Sequence, residues 1–271
     1  MRRLINRRPG RVLGTFLTAL PFAVLVTIYV MASNARLAAN PDDKLLPSFA
    51  SFWDAIVRMG FEPSKRTGEY LLWVDTLASL ERLGLGVAMA AAIALILGLT
   101  LGLFPYARTT FAPLVKALSL IPPLSVLPIL FITFGLGQTA KIALILFGIT
   151  PFITRDLQQR IEELPEEQMI KAQTLGANSW QLLTRVALPQ ALPRLIEGVR
   201  LGLGPAWLFL IAGEAIAGEE GLGYRIFLVR RYLAMDVILP YVAWITLIAF
   251  SFDFTLRQLR VWLFSWSLTR D

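Results

Sequence analysis

Read for polarity alone, the chain alternates long apolar runs with compact polar inserts. Six runs carry few charges, at about 12–32, 77–103, 112–134, 138–154, 196–217 and 237–256. A helix needs about 20 mostly apolar residues to cross a hydrocarbon core of roughly 30 Å. The pattern therefore predicts an all-α membrane protein with about six transmembrane helices. The third run is interrupted by Pro122, Pro123 and Pro128. Each removes a backbone donor and kinks or breaks the helix. Freed carbonyls at membrane depth survive only inside protein or beside a watery cavity. That run is read either as a pointer to a transport path or as a plain proline kink. The second run holds Gly98 and Gly102, plus Gly84 and Gly86, small residues that let helix backbones approach in lipid.

Two inserts between the runs are patterned. In "SFWDAIVRMGF", Phe52, Trp53, Ile56, Val57 and Met59 recur at helical spacing, which predicts a short amphipathic helix. It is read as lying on the bilayer surface, with a docking surface for an external partner as the other reading. The second insert runs "EELPEEQMIKAQTLGANSWQLLTRVALPQALP". Pro165 suits a first helical turn, and Glu166 and Glu167 suit the positive end of a helix dipole. A helix to Leu175 is expected, with Gly176 left-handed just beyond it. Asn178 and Gln181 have the spacing of a capping box for a second helix. Trp180, Leu183 and Ala187 line one face of that helix. Pro189 and Pro193 are expected to stop it before the fifth run. A rigid, amphipathic helix pair between two spans suits gripping by something soluble, and an ordinary folded loop is the alternative.

Composition agrees with a membrane protein. Of 271 residues, 56% are hydrophobic and 17% charged, against roughly 45–50% and 25% in soluble domains. Mean hydropathy is +0.61 and the pI about 10. The net charge of +7 suggests topology once the positives are located, because Lys and Arg concentrate in cytoplasmic loops. Five arginines precede the first run, so both termini are expected in the cytoplasm. The segment 155–195, with Arg155, Arg160, Lys171, Arg185 and Arg194, then falls on the same side. Trp262 and Trp266 are read as interfacial anchors of the basic tail. The basic N-terminus also resembles a signal peptide, but the run is long and contains Pro21, so an uncleaved first helix is expected. Nucleic-acid binding is not expected. There is no His and no Cys, which removes thiolate nucleophiles, most zinc sites and the common proton relay. No metal or cofactor is expected. The chain has no GxxxxGK[ST] loop to cradle ATP.

The polar insert resembles the cytoplasmic EAA loop of ABC importer permeases. Gly176 is followed by nine residues and then Val186, Leu188 and Pro189 in register, and Ala172 matches an alanine of the motif. Ile170 and Lys171 stand where the family has Glu and Ala. "TLASLERLGLG", "IPPLSVLPILFITFGLGQTAKI", "LPRLIEGVRLGLGPAWLFLIAGEAIAGEEGLGY" and "FDFTLRQLRVWLF" resemble the nitrate/taurine/alkanesulfonate branch. "EEQMIKAQTLGANSWQ" is also similar to members encoded beside urea-carboxylase or guanidine-degrading enzymes. The resemblance implies a type I importer permease fold. It implies residues 1–75 as an N-terminal stub, first helix and external loop, 76–262 as the permease core, and 263–271 as a cytoplasmic tail. The implied partners are two cytoplasmic ATPase subunits, a periplasmic or lipid-anchored solute-binding protein, a second and identical permease copy, and membrane lipid. The bacterial inner membrane is the implied location. Met169, Lys171, Ala172, Leu175, Gly176, Ala177 and Trp180 then become the ATPase-coupling residues. The solute is expected to be small and polar, either sulfonate-, taurine- or nitrate-like or urea- or guanidine-related.

For the translocation path the candidates are Ser125, Pro128, Trp207 and Glu214. Glu214 lies late in the fifth run, where an ionisable group is a functional candidate; an interfacial position or a structural hydrogen bond is the other reading. Asp253 is expected to pair with Arg257 at i,i+4, and Arg200 with Glu197. Arg82, in the family's SLxR motif, is expected in a helix-packing ion pair beside Glu81. An ion-coupled secondary transporter would want acids at midplane and inverted repeats, and no clear repeat is visible. An intramembrane enzyme lacks paired midplane acids, His and Cys.

Overall fold

The computed structural model describes residues 10–41, 43–65 and 67–266. The basic stretch before Gly10, the loop positions Asp42 and Arg66 and the last five residues lie outside these. The helices are α1 (Arg11–Ala39), α2 (Phe49–Gly60), α3 (Leu71–Leu103), α4 (Pro105–Leu120), α5 (Pro123–Phe134), α6 (Gln138–Glu162), α7 (Glu166–Thr174), α8 (Ser179–Gln181), α9 (Leu188–Ala217), α10 (Leu222–Arg230) and α11 (Met235–Leu263). Among the described residues there is no strand.

Four helical stretches are long and apolar enough to cross a membrane: α1, α3, Ser179–Ala217 and α11. A fifth arises if α4 and α5, bent by 97° at their junction, count as one broken span. This differs from the expected six. The sixth, α6, is helical as expected but starts on Gln138 and Lys141 and ends on polar residues. It continues past the predicted end at 154 because Ile153, Leu157 and Ile161 keep one face buried at i,i+4 spacing. The broken third run is present, with the bend at Ile121 and Pro122.

The expectation for Pro189 and Pro193 is overturned. They do not stop the helix, which runs unbroken from Ser179 to Ala217. Leu182–Ala187 form a π-helical turn, in which the Leu188 N–H reaches back to the Leu183 carbonyl. The wider turn moves the ladder by one residue, so the ring of Pro189 and its missing donor are accommodated at the start of α9.

α6 is the centre of the bundle. Its buried residues Leu144, Ile145, Ile149, Ile153 and Leu157 pack between α3 and α9. The α3 glycines make this close approach possible. A Cβ on Gly98 would lie 2.6 Å from Cβ of Leu157, and one on Gly102 would lie 2.6 Å from Cβ of Ile161. α1 stands apart, with Ser33 its only buried described residue. Its Tyr29 hydroxyl donates to Pro47 O at 2.7 Å and Ser33 Oγ to Leu46 O at 2.9 Å, which hold the lead into α2. The amphipathic α2 forms as expected. Ala55 and Met59 face the core while Trp53 stays exposed.

One end of the bundle is tied by two fully buried carboxylates. Asp75 and Glu214 are both 0% exposed. Glu214 accepts from Ser79 Oγ at 2.8 Å, Arg82 Nη1 at 2.8 Å and the Gly223 N–H at 2.9 Å. Arg82 reaches on to the Glu220 carbonyl at 3.0 Å and the Glu220 carboxylate at 2.9 Å. Asp75 accepts from the Gly221 N–H at 3.0 Å, Arg225 Nε at 2.7 Å and the Tyr241 hydroxyl at 3.1 Å. This clamp joins α3, α9, α10, α11 and the turn between α9 and α10. Gly221 has φ +122, and a Cβ there would lie 2.5 Å from the Glu214 carboxyl. Arg82 is therefore an ion-pair residue as expected, but its partners are Glu214 and Glu220, and Glu81 is exposed.

At the other end the expected Asp253–Arg257 pair is replaced. Asp253 accepts from Arg200 Nε at 2.6 Å, which links α11 to α9. Arg200 also keeps its i,i+3 pair with Glu197 at 3.3 Å, and Glu197 pairs with Arg260. A pair across helices prevails because α9 and α11 pack side by side here.

Two stability predictions follow from this packing. Gly98→Ala and Gly102→Ala should each lower stability by about 1–3 kcal/mol, whereas Gly84→Ala, with nothing within 4 Å of its Cβ, should be tolerated; thermal unfolding in detergent checks this. In the same assay Arg82→Met should cost about 3–5 kcal/mol by stranding the Glu214 charge. Glu220→Gln, at a side chain 44% exposed, should cost about 1 kcal/mol or less.

Candidate functional site

The polar insert folds into a rigid helix pair built from local signals. α7 has Pro165 at its N-cap, one position before the expected first turn, and Glu166 and Glu167 in its opening turn. It ends in a Schellman motif: the Ala177 N–H bonds the Ala172 carbonyl at 3.0 Å and the Gly176 N–H bonds the Gln173 carbonyl at 2.9 Å. Gly176 sits at φ +84, the left-handed conformation that motif requires. Two residues on, the capping box is complete. The Gln181 N–H donates to Asn178 Oδ1 at 2.9 Å, and the Asn178 N–H donates to Gln181 Oε1 at 2.9 Å. A glycine-led stop and a reciprocal start thus fix the turn between the two helices without any long-range contact.

Three large apolar side chains stand exposed among the polar residues on the outer surface of this pair. Leu175 is 81% exposed, Trp180 70% and Ile170 56%. Lys171 and Gly176 are exposed beside them, while Met169, Ala172 and Ala177 are half-buried. Trp180 does not share a buried face with Ala187, as the spacing suggested. Ala187 is buried against the bundle and Trp180 points away from it. The pair is anchored at its base: Gln190 Nε2 donates to Gln168 Oε1 at 3.1 Å and bridges α7 to α9. Because α8, the π turn and α9 form one continuous helix, Trp180 is the free end of a rod that reaches Glu214.

The four path candidates are not brought to one wall. Ser125 and Pro128 are exposed on α5, and Ser125 Oγ donates to Pro122 O at 2.7 Å across the break. Trp207 and Glu214 are buried on α9. Glu214 is not free: as the structural alternative expected, it is hydrogen-bonded, the acceptor at the centre of the clamp. A small cavity of about 230 Å³ lies beside the break, walled by Ser119, Pro123, Gly148, Phe152, Pro205 and Phe209. A larger apolar groove of about 990 Å³ is lined by residues of α1, α2, α3 and α11. Among the described residues no cluster of acidic side chains is arranged to hold a metal ion. The clamp residues Asp75, Arg225 and Tyr241 were missed from sequence. Their partners lie 150 and 166 positions away, and no local pattern links them.

Comparison with known proteins places this geometry. Residues 90–265 match the family described as "Binding-protein-dependent transport system inner membrane component". The taurine transport system permease protein TauC of Escherichia coli is 36% identical over 195 residues, 72% of this chain and 71% of that protein. The nitrate import permease protein NrtB of Leptolyngbya laminosa is 28% identical over 235 residues, 83% of this chain and 82% of that one. A bicarbonate transport system permease protein, CmpB of Synechococcus elongatus, is 30% identical over 195 residues, 71% of this chain and 69% of that one. The fold is shared with an inward-facing structure of the MetNI methionine ABC transporter, at TM-score 0.63 and 21% identity, over 73% of this chain and 97% of that one. The matched region contains the broken span, the helix pair and most of the clamp, and the chain belongs to the inner-membrane permease subunits of binding-protein-dependent ABC importers.

Proposed function

We propose that two copies of this chain form the pore of an ATP-driven importer for a small polar solute. Each copy is gripped through α7 and α8 by one of two cytoplasmic ATPase subunits. The observation that carries this reading is the helix pair. It is locally self-sufficient, its exposed surface holds Ile170, Leu175 and Trp180, and its second helix continues as α9. A partner that moves Trp180 therefore moves α9 directly. ATP chemistry belongs to the partner, since this chain carries no phosphate-binding loop. In this reading Met169, Lys171, Ala172, Leu175, Gly176, Ala177 and Trp180 form the coupling surface. Both termini face the cytoplasm of a bacterial cell, and a periplasmic or lipid-anchored protein delivers the solute to the clamp end. The relatives' names carry taurine, nitrate and bicarbonate, which supports a small oxyanion or sulfonate in preference to a urea- or guanidine-related solute.

Two substitutions test the handle. Gly176→Val should strain the left-handed turn by about 1–2 kcal/mol and lower ATP-dependent uptake without removing the chain from the membrane. Gly176→Asn, which tolerates that conformation, should retain most activity. Full uptake by Gly176→Val would contradict the proposed role of the turn. Lys171→Glu should weaken the affinity of the ATPase subunit while leaving membrane insertion unchanged, and unaltered affinity would place Lys171 off the interface.

A further inference from the structure

Two cations beside the α4–α5 break have no carboxylate within ion-pairing distance among the described residues. Arg155, exposed on α6, donates from Nη1 to Ser119 Oγ at 2.9 Å. Its Nε and Nη2 make no hydrogen bond to the described residues, so the forked edge of the guanidinium is unoccupied. Lys116 is also exposed, one turn before Ser119 on α4, and its carbonyl accepts from Ser119 Oγ at 2.7 Å. The neighbouring arginines are balanced: Arg108 faces Glu162 at 3.1 Å and Arg160 faces Glu163 at 3.2 Å.

The direction of Arg155 is the second observation. Helical side chains lean toward the helix N-terminus, so Arg155 leans over Phe152 and away from the Glu162 end. It lies two turns, about 10 Å, inside that end, level with the apolar stretch of α3, because Leu157 and Ile161 pack on Gly98 and Gly102. Arginines near the end of a span ordinarily snorkel outward to the interface. Arg155 instead reaches inward to the break, and its partner Ser119 and its neighbour Phe152 both line the small cavity. A guanidinium held at such depth by one neutral hydroxyl is costly against lipid and inexpensive against water. A backbone broken by 97° is likewise tolerated at depth only beside protein or a watery cavity.

We propose that Arg155, backed by Lys116, lines the aqueous route at the α4–α5 break and is a specificity-determining residue that receives the negatively charged group of the passing solute. This rests on the permease reading above. A planar fork with two unoccupied donors matches two oxygens of a sulfonate, nitrate or carboxylate, which an ammonium does not. Sequence alone placed Arg155 in a cytoplasmic loop and did not single out Lys116.

The chain contains no cysteine, so Ser119→Cys creates a single thiol beside the guanidinium. The variant, in native membranes with its partners, is treated with an anionic ethylsulfonate and a cationic ethyltrimethylammonium methanethiosulfonate of similar size. The anionic reagent should react faster, and its advantage should fall at least about tenfold with Arg155→Gln, as expected for removing a unit charge a few ångströms away. The ratio is the readout, because a nearby cation also lowers the thiol pKa and changes both rates together. Arg155→Lys should retain most of the advantage. If Ser119→Cys is lost from the membrane, Phe152→Cys, one turn before Arg155 on the wall of the same cavity, reports the same ratio. No reaction with either reagent would overturn the aqueous placement, and a ratio unmoved by Arg155→Gln would overturn the role in selection. Neither result touches ATPase association, whose loss would count against the permease reading itself.

Discussion

The bundle depends on the satisfaction of two charges that water does not reach. Isolated, a buried Asp75 or Glu214 would cost several kcal/mol, and removing any one partner strands the charge. Here each is surrounded by donors from different helices, with Arg82 and Arg225 supplying the countercharge. Geometry this demanding is tolerant of few arrangements. It fixes how α3, α9, α10 and α11 meet and pulls the turn before α10 onto α3. Gly221 and Gly223 are part of the same constraint, because their N–H groups are donors and a side chain would collide with the Glu214 carboxyl at Gly221 and with the α9 backbone at Ile211 from Gly223.

From the clamp the consequences run the length of α9. Its far end becomes the π turn and then α8, so the helix pair and the clamp are two ends of one rod. α6 is locked to α3 by the glycine contacts and packs along α9. Trp180 is thus joined by continuous helix to the tightly packed core of α3, α6 and α9. The π turn before Pro189 is the place where this rod departs from ideal α geometry. The broken span α4–α5 lies beside that core, and its cavity is framed by Pro123, Pro151 and Pro205 on three different helices.

The sequence was most legible where the physics is local. Gly176, Asn178 and Gln181 encode a stop and a start within six residues, and both motifs formed as their spacing implied. The apolar runs located the helices, and the prolines located the break. The misreadings share a cause. Pro189 and Pro193 look like stops because a one-residue widening of the helix leaves no mark in composition. Asp253 has a plausible partner four residues away in Arg257, yet packing offers it Arg200 on another helix. Asp75 read as part of an external loop because its donors lie far along the chain. Membership of the permease family was legible from the ordered motifs; the assembly of the clamp was not.

The central claim is that α7 and α8 are the handle by which an ATPase moves this pore. The most direct test is to purify the tagged chain in mild detergent from its native membrane and to identify co-purifying proteins by mass spectrometry. The account predicts a stoichiometric ATPase subunit with a phosphate-binding loop, released when Trp180 and Leu175 are both changed to aspartate. A chain that repeatedly purifies without any such subunit, or one whose ATPase is retained by that double variant, would contradict it.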